Sequence, residues 1–290
     1  MTALAPFAPG DMFVTASDLD ESARFPTGHG KILQFAADGT AKGVFETRET
    51  GLIASLTLDR TGHLHALDPQ ARALTSIGPD GREADCFPNL ADAPYGSMIA
   101  LADGDYLFGE HMVGAIPGFS GKGQVTRVNH AGDIIATYDT ETNGGMGGFL
   151  GVTHMAISRD GRTLYHSSET GAHVYAHDLT ANRRLGPIYT RTDPPPLVFG
   201  LAMLPDGQLL VACGSEFRRV DPATGQATRF ALPEGRGWAV PILRPGGTEI
   251  WALDFFGGRL ARLNLADGRL LEMRELGLAK CLTGLAEVPA

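Results

Sequence analysis

Three acids in this 290-residue chain, Asp68, Glu110 and Asp254, each end a short alternating apolar segment, and one histidine, His154, begins another. Carboxylates converging on one point make an oxygen-rich site for a hard cation such as Ca²⁺ or Mg²⁺. Alternatively, crowding raises the pKa of one carboxyl and prepares it as a general acid or base. An imidazole at position 154 would be poised near neutral pH as base, acid or ligand. It follows a flexible run, N-G-G-M-G-G-F-L-G, at residues 143–151. Glu110 is followed at once by His111, at the start of a segment that carries Met112, Val113, Ile116 and Phe119. An exposed loop has little reason to hold such residues unless it covers something apolar, so this segment and the glycine run read as a lid.

Other patterns carry less chemistry. Phe199, Trp238, Phe255 and Phe256 fall near one end of their segments, where they would line an aromatic pocket or pack between neighbouring elements. His63 and His65 alternate on one face of a strand, a spacing that could hold a metal but that fits packing better. The sequence has no G-x-S-x-G, no H-E-x-x-H and no cysteine pair at metal spacing, which argues against a serine hydrolase or zinc protease. The glycine run has no helix after it, so the logic of a phosphate cradle is missing.

What positions these residues is a repeat. A strand, a tight turn and a returning strand recur with turns at Thr61-Gly62, Asp103-Gly104, Asp160-Gly161, Asp206-Gly207 and Gly246-Gly247. A third strand follows each pair, at residues 31–35, 73–77, 124–128, 173–177, 217–220 and 260–263. Glycine supplies the positive φ that such hairpin turns require. The sixth copy is split between the termini. Residues 282–289, L-T-G-L-A-E-V-P, followed by residues 10–16, G-D-M-F-V-T-A, match the uninterrupted segment 199–212, F-G-L-A-M-L-P-D-G-Q-L-L-V-A. A unit divided in this way implies a closed ring. The expected fold is all-β: a six-bladed β-propeller of four-stranded antiparallel blades over residues 1–290 as one domain, closed by the C-terminal strand.

In such a ring the innermost strand starts, and the second strand ends, at one mouth of the central channel. The longer connections, at residues 18–30, 111–122, 141–151, 192–198 and 233–237, fall on that same face, which marks it as the binding face. The register places Asp68, Glu110, Asp254 and the pair Ser17-Asp18 there, with His154, Thr153 and Ser168.

A net charge of −9 argues against nucleic acid or an anionic membrane as partner and permits a cation. The three cysteines, Cys86, Cys213 and Cys281, do not suggest a disulfide framework. No apolar run approaches membrane-spanning length, and Met1 to Asp11 lacks the basic and apolar segments of a signal peptide, so the expected compartment is the cytoplasm.

The blade G-V-T-H-M-A-I-S-R-D-G-R-T-L-Y-H-S-S-E-T-G-A-H-V-Y-A-H-D-L, residues 151–179, resembles that of the gluconolactonase and senescence-marker-protein family. NHL-repeat and strictosidine-synthase-like propellers share the style. The resemblance implies one divalent cation at the mouth, held by glutamate, asparagine and aspartate. At the family's asparagine positions this chain has Thr153 and Phe199, and at its aspartate positions Ser168 and Cys213. The expected function is lactone or ester hydrolysis of a small molecule, with His154, Glu110 and His111 catalytic. Phe199, Trp238, Phe255, Thr153 and Ser168 would bind substrate, and Glu110, Asp68 and Asp254 would hold the cation. The alternatives are a metal-free lyase or condensing enzyme using carboxylate and histidine acid–base chemistry, and a non-catalytic NHL-type binding propeller.

Overall fold

A computed structural model of the chain describes residues 3–17, 29–50, 53–111, 123–142, 151–169, 171–277 and 282–289. The strands form six antiparallel sheets, each a blade of a six-bladed β-propeller. The fourth blade runs His154–Ile157, Thr163–Ser167, His173–Asp178 and Arg183–Thr190, and the fifth runs Leu201–Met203, Leu209–Ala212, Phe217–Val220 and Ala227–Phe230. The second blade has three strands, Ser55–Leu58, Leu64–Asp68 and Ala73–Ile77, and an isolated bridge from Ile77 to Glu83 lies where the fourth would run.

The hairpin turns form for a local reason. Gly62, Gly104, Gly161 and Gly207 all have positive φ. At each of these turns an aspartate side chain accepts the N–H two residues ahead, from Asp59 to Thr61, Asp103 to Asp105, Asp160 to Arg162 and Asp206 to Gln208. Aspartate stabilises the turn that glycine permits.

The ring closes as the split repeat requires. Strand Leu285–Glu287 pairs antiparallel with Met12–Ser17, setting Met12 opposite Glu287, Phe13 opposite Ala286 and Val14 opposite Leu285. The closing strand also reaches the sixth blade, where Glu287 accepts from Arg244 Nε at 2.8 Å and from Trp251 Nε1 at 3.2 Å. The described core divides into six apolar clusters, each between two successive blades. One joins Val14 and Leu285 of the first blade to Trp251 and Leu253 of the sixth. Blade faces therefore supply the hydrophobic stabilisation, at about 25 cal/mol per Å² of apolar surface buried.

Among the described residues no helix is long and apolar enough to cross a membrane.

Candidate functional site at the channel mouth

A cavity of about 580 Å³ opens among the ends of the innermost strands. Its third- and fourth-blade wall carries His111, Thr153, His154 and Glu169. The wall continues through Phe199, Cys213, Gly214 and Ser215 of the neighbouring fifth blade to Arg236, Phe255 and Phe256 of the sixth. Leu197, Val240 and Leu282 add to an apolar lining that would hold the body of a small organic ligand.

His154 is the first residue of its innermost strand and pairs with Ser167, which holds it at the mouth. Its imidazole is half-buried, and desolvation pushes its pKa down to about 4. His111 is more deeply set, only 7 % exposed, with its N–H donated to the Pro94 carbonyl at 2.7 Å. Burial, and then the nearby His154, push its pKa down to about 3. Its Nδ1 is buried without a hydrogen-bond partner among the described residues. Both rings are neutral at pH 7. Glu169 has the opposite perturbation, because burial raises its carboxyl pKa and favours the protonated form. The cavity thus holds neutral bases beside a carboxyl biased toward the acid form.

Of the expected site residues, the cavity brings together His154, His111, Thr153, Phe199 and Phe255. Trp238 is fully buried behind the wall, with its indole N–H on the Pro233 carbonyl at 3.0 Å. The three acids do not converge. Asp68 accepts the N–H groups of Gln70 and Ala71 in its own turn. Glu110 accepts the Gln124 N–H at 3.2 Å. Asp254 is paired with Arg259, whose Nε lies 2.9 Å from its carboxylate. None of the three lines the cavity.

The residues at the resembled family's ligand positions do not fit a cation either. Thr153 Oγ1 donates to the Ser167 carbonyl at 3.1 Å and Ser168 Oγ to the Gly151 carbonyl at 2.5 Å. The Cys213 thiol points to the Val211 carbonyl at 3.8 Å, and Phe199 has no donor atom in its side chain. Among the described residues no group of three or more His, Cys, Asp or Glu side chains gathers to hold an ion. His63 and His65 lie at the other end of the blade, where His65 is bonded to Ser76 and Asp59. Asp18, the apolar residues Met112, Val113, Ile116 and Phe119, glycines 144–148 and Cys281 lie outside the described residues.

Sequence reading missed Glu169, Ser215 and Arg236. Glu169 directly follows Ser168, which the repeat register does place at the mouth. Arg236 belongs to the connection 233–237, assigned to the mouth face as a segment but without a chemical role.

No family model matches the sequence, and no curated protein matches it. Solved structures share its fold. A catalytically inactive histidine-to-alanine variant of virginiamycin B lyase from Staphylococcus aureus, with quinupristin, is 15 % identical at a TM-score of 0.62, over 99 % of this chain and 95 % of that one. Nidogen, in its complex with laminin, is 12 % identical at 0.66, over 96 % and 98 %. A protein of unknown function from Bacteroides caccae is 14 % identical at 0.67, over 98 % and 100 %. At such identities the likeness establishes the six-bladed propeller.

Proposed function

We propose that the chain is a small-molecule enzyme that transfers protons in the channel-mouth cavity, and that its reaction is a lyase-type elimination. The observation that carries this reading is the gathering, in one apolar cavity, of a neutral imidazole at His154 and a carboxyl at Glu169 whose pKa is raised. Environments that push two titratable groups in opposite directions assign base and acid. His154 takes a proton from carbon next to a carbonyl, the C–H electrons form a carbon–carbon double bond and the carbon–oxygen bond breaks. Glu169 gives its proton to the departing oxygen, and solvent then returns the proton from His154 to Glu169. His111, buried behind His154, shapes the polar end of the cavity. A fold shared with a lyase that a histidine replacement inactivates is consistent with this reading. The same groups acting on water would hydrolyse a lactone or ester.

The test is product mass. The protein is incubated with a panel of lactones and macrocyclic esters together with quinupristin. Elimination within a ring leaves the mass unchanged, whereas hydrolysis adds one water. Each of His154→Asn and Glu169→Gln should lower turnover by about 10²–10⁴-fold. A product heavier by one water moves the reading to hydrolysis, and turnover that survives in both variants places the chemistry elsewhere.

A further inference from the structure

The backbone of the loop at residues 233–237 is held in place on both sides of Arg236. Its glycines, Gly235 and Gly237, flank Arg236 and have no room for a side chain. A Cβ on Gly235 would lie 2.6 Å from Trp238 Nε1 and 2.7 Å from Arg259 Nη2, and one on Gly237 would lie 2.6 Å from the Phe256 nitrogen. The loop's carbonyls are taken up on the sixth-blade side. Pro233 accepts from the Trp238 indole, Glu234 from Arg259 Nη2 at 2.9 Å, and Gly237 from the Phe255 N–H at 2.8 Å. Arg259 is itself fixed by Asp254. Just beyond the loop, Trp238 donates its N–H to Gly214 at 2.9 Å in an isolated antiparallel bridge, a register that sets Ser215 of the fifth blade opposite Gly237, the residue after Arg236.

All this order surrounds Arg236. Arg191, Arg218, Arg229 and Arg259 are paired with Glu216 or Asp254. Arg236 is exposed, lines the cavity and has no carboxylate partner among the described residues. In a chain of net charge −9, a guanidinium at a cavity mouth with no carboxylate partner among the described residues is a local attractor for anions. Beside it Phe256, 56 % exposed, stands edge-on to Phe255 with ring centroids 5.2 Å apart, an aromatic surface open to a ligand.

We infer that the cavity's ligand is an amphipathic anion. Its carboxylate, sulfonate or phosphate is received by Arg236 with the Ser215 hydroxyl alongside, and its aromatic or apolar body lies against Phe255, Phe256 and Phe199. This rests on the cavity being the substrate site and adds the class of substrate. Arg236, two blades from His154, is then a specificity residue that holds the ligand at the end away from the transferred proton.

Two fluorescent probes with one aromatic frame test it: anilinonaphthalene sulfonate, an anion, and N-phenylnaphthylamine, which is neutral. Titrations should show Arg236→Gln weakening the sulfonate about tenfold while leaving the neutral probe within about twofold. Arg236→Lys should recover part of the loss, Arg236→Glu should deepen it, and added salt should weaken the sulfonate only where residue 236 is cationic. Equal losses for both probes, or no loss for either, would overturn the proposal. The assay needs no turnover, so its failure is separable from that of the proton-transfer reading. His154→Asn should keep the preference for the anion. A protein inert toward every ester but selective for the sulfonate through Arg236 would retain this inference and lose the other.

Discussion

The Tyr106 hydroxyl of the third blade is donated to the Asp59 carboxylate of the second at 3.0 Å. His65 Nε2 reaches the same oxygen at 3.1 Å, and its Nδ1 lies 2.9 Å from Ser76 Oγ. Burial alone would raise the Asp59 pKa, but hydrogen bonds from Thr61, His65, the His63 N–H and Tyr106 outweigh it and hold the pKa down to about 2. The carboxylate is therefore an acceptor throughout the physiological range. His65 donates to it from Nε2 and accepts the Ser76 hydroxyl at Nδ1. The resulting chain of polar groups fastens two blades together inside an otherwise apolar interface.

Removing one end should cost less than removing the centre. Tyr106→Phe is expected to lose about 1 kcal/mol, one buried hydrogen bond to a charged group that keeps its other donors. Asp59→Ala strands five donor groups, two of them on Thr61, and should lose about 3 kcal/mol or more. Denaturant melts of the two variants check this, and equal losses would show that Asp59 acts through Tyr106 alone.

The turn residues carried most of the fold into the sequence. Asp-Gly at 103–104, 160–161 and 206–207 fixes hairpins by purely local physics, and the split repeat at the termini needs only pattern matching to imply closure. The reduced fourth strand of the second blade, a single bridge from Ile77 to Glu83, leaves no such mark. At the site, strand ends follow from turns, and so the register brings His154 and Phe199 to the cavity wall. It does not bring Asp68, Glu110 and Asp254 to the cavity, because position at a strand end does not say which way a carboxylate turns. Asp68 turns back to two nearby N–H groups and Asp254 to Arg259, partners that register cannot foresee. The raised pKa of Glu169 comes from desolvation, a tertiary property with no sequence pattern of its own.

The closing strand should be indispensable. Deleting residues 282–290 exposes the Met12–Ser17 edge and removes Leu282 and Leu285, each worth about 1.5–3 kcal/mol of burial, from between the first and sixth blades. The expected result is loss of the cooperative thermal transition, read by circular dichroism. Glu287→Gln, which keeps the strand and weakens only its hold on Arg244 and Trp251, should shift the transition and leave it cooperative.

Acid should destabilise the ring through its histidines before it reaches its aspartates. His111 and His166 have folded pKa values pushed down to about 3 by burial, against about 6.5 in the unfolded chain. A depressed histidine binds its proton only on unfolding. Its contribution is therefore complete above pH 6.5 and is lost as pH falls toward 3, at on the order of 1 kcal/mol per histidine per pH unit. Glu169, with its pKa raised, works in the opposite direction, its contribution being lost as pH rises from 4.5. Melting temperature followed from pH 7 to pH 4 should fall in the wild type and fall less steeply in His166→Asn.

The same shifts define the range of catalysis. On the proposed mechanism, kcat/KM should rise as His154 loses its proton near pH 4 and decline as Glu169 ionises above its ordinary carboxyl range. A rate that rises only through pH 6.5 would identify a solvated histidine as the base and exclude His154.

Asp254 separates a cation site from a brace. If it braces the mouth, its work is to hold Arg259, and through Arg259 the Glu234 carbonyl and the loop bearing Arg236. Asp254→Asn keeps the shape but withdraws the charge, so Arg259 loses its ionic partner and stability should drop by about 1–3 kcal/mol. The variant should also lose part of the preference for an anionic probe, because Arg236 is no longer held in place. Thermal melting with Ca²⁺ or Mg²⁺ supplies the contrast. A ligand of the folded state stabilises by RT ln(1 + [L]/Kd), so a cation bound at Asp254 would raise the wild-type melting temperature and leave the variant unmoved. The brace predicts the reverse pattern: neither protein responds to the ion, and only the variant is weakened, at every ion concentration alike.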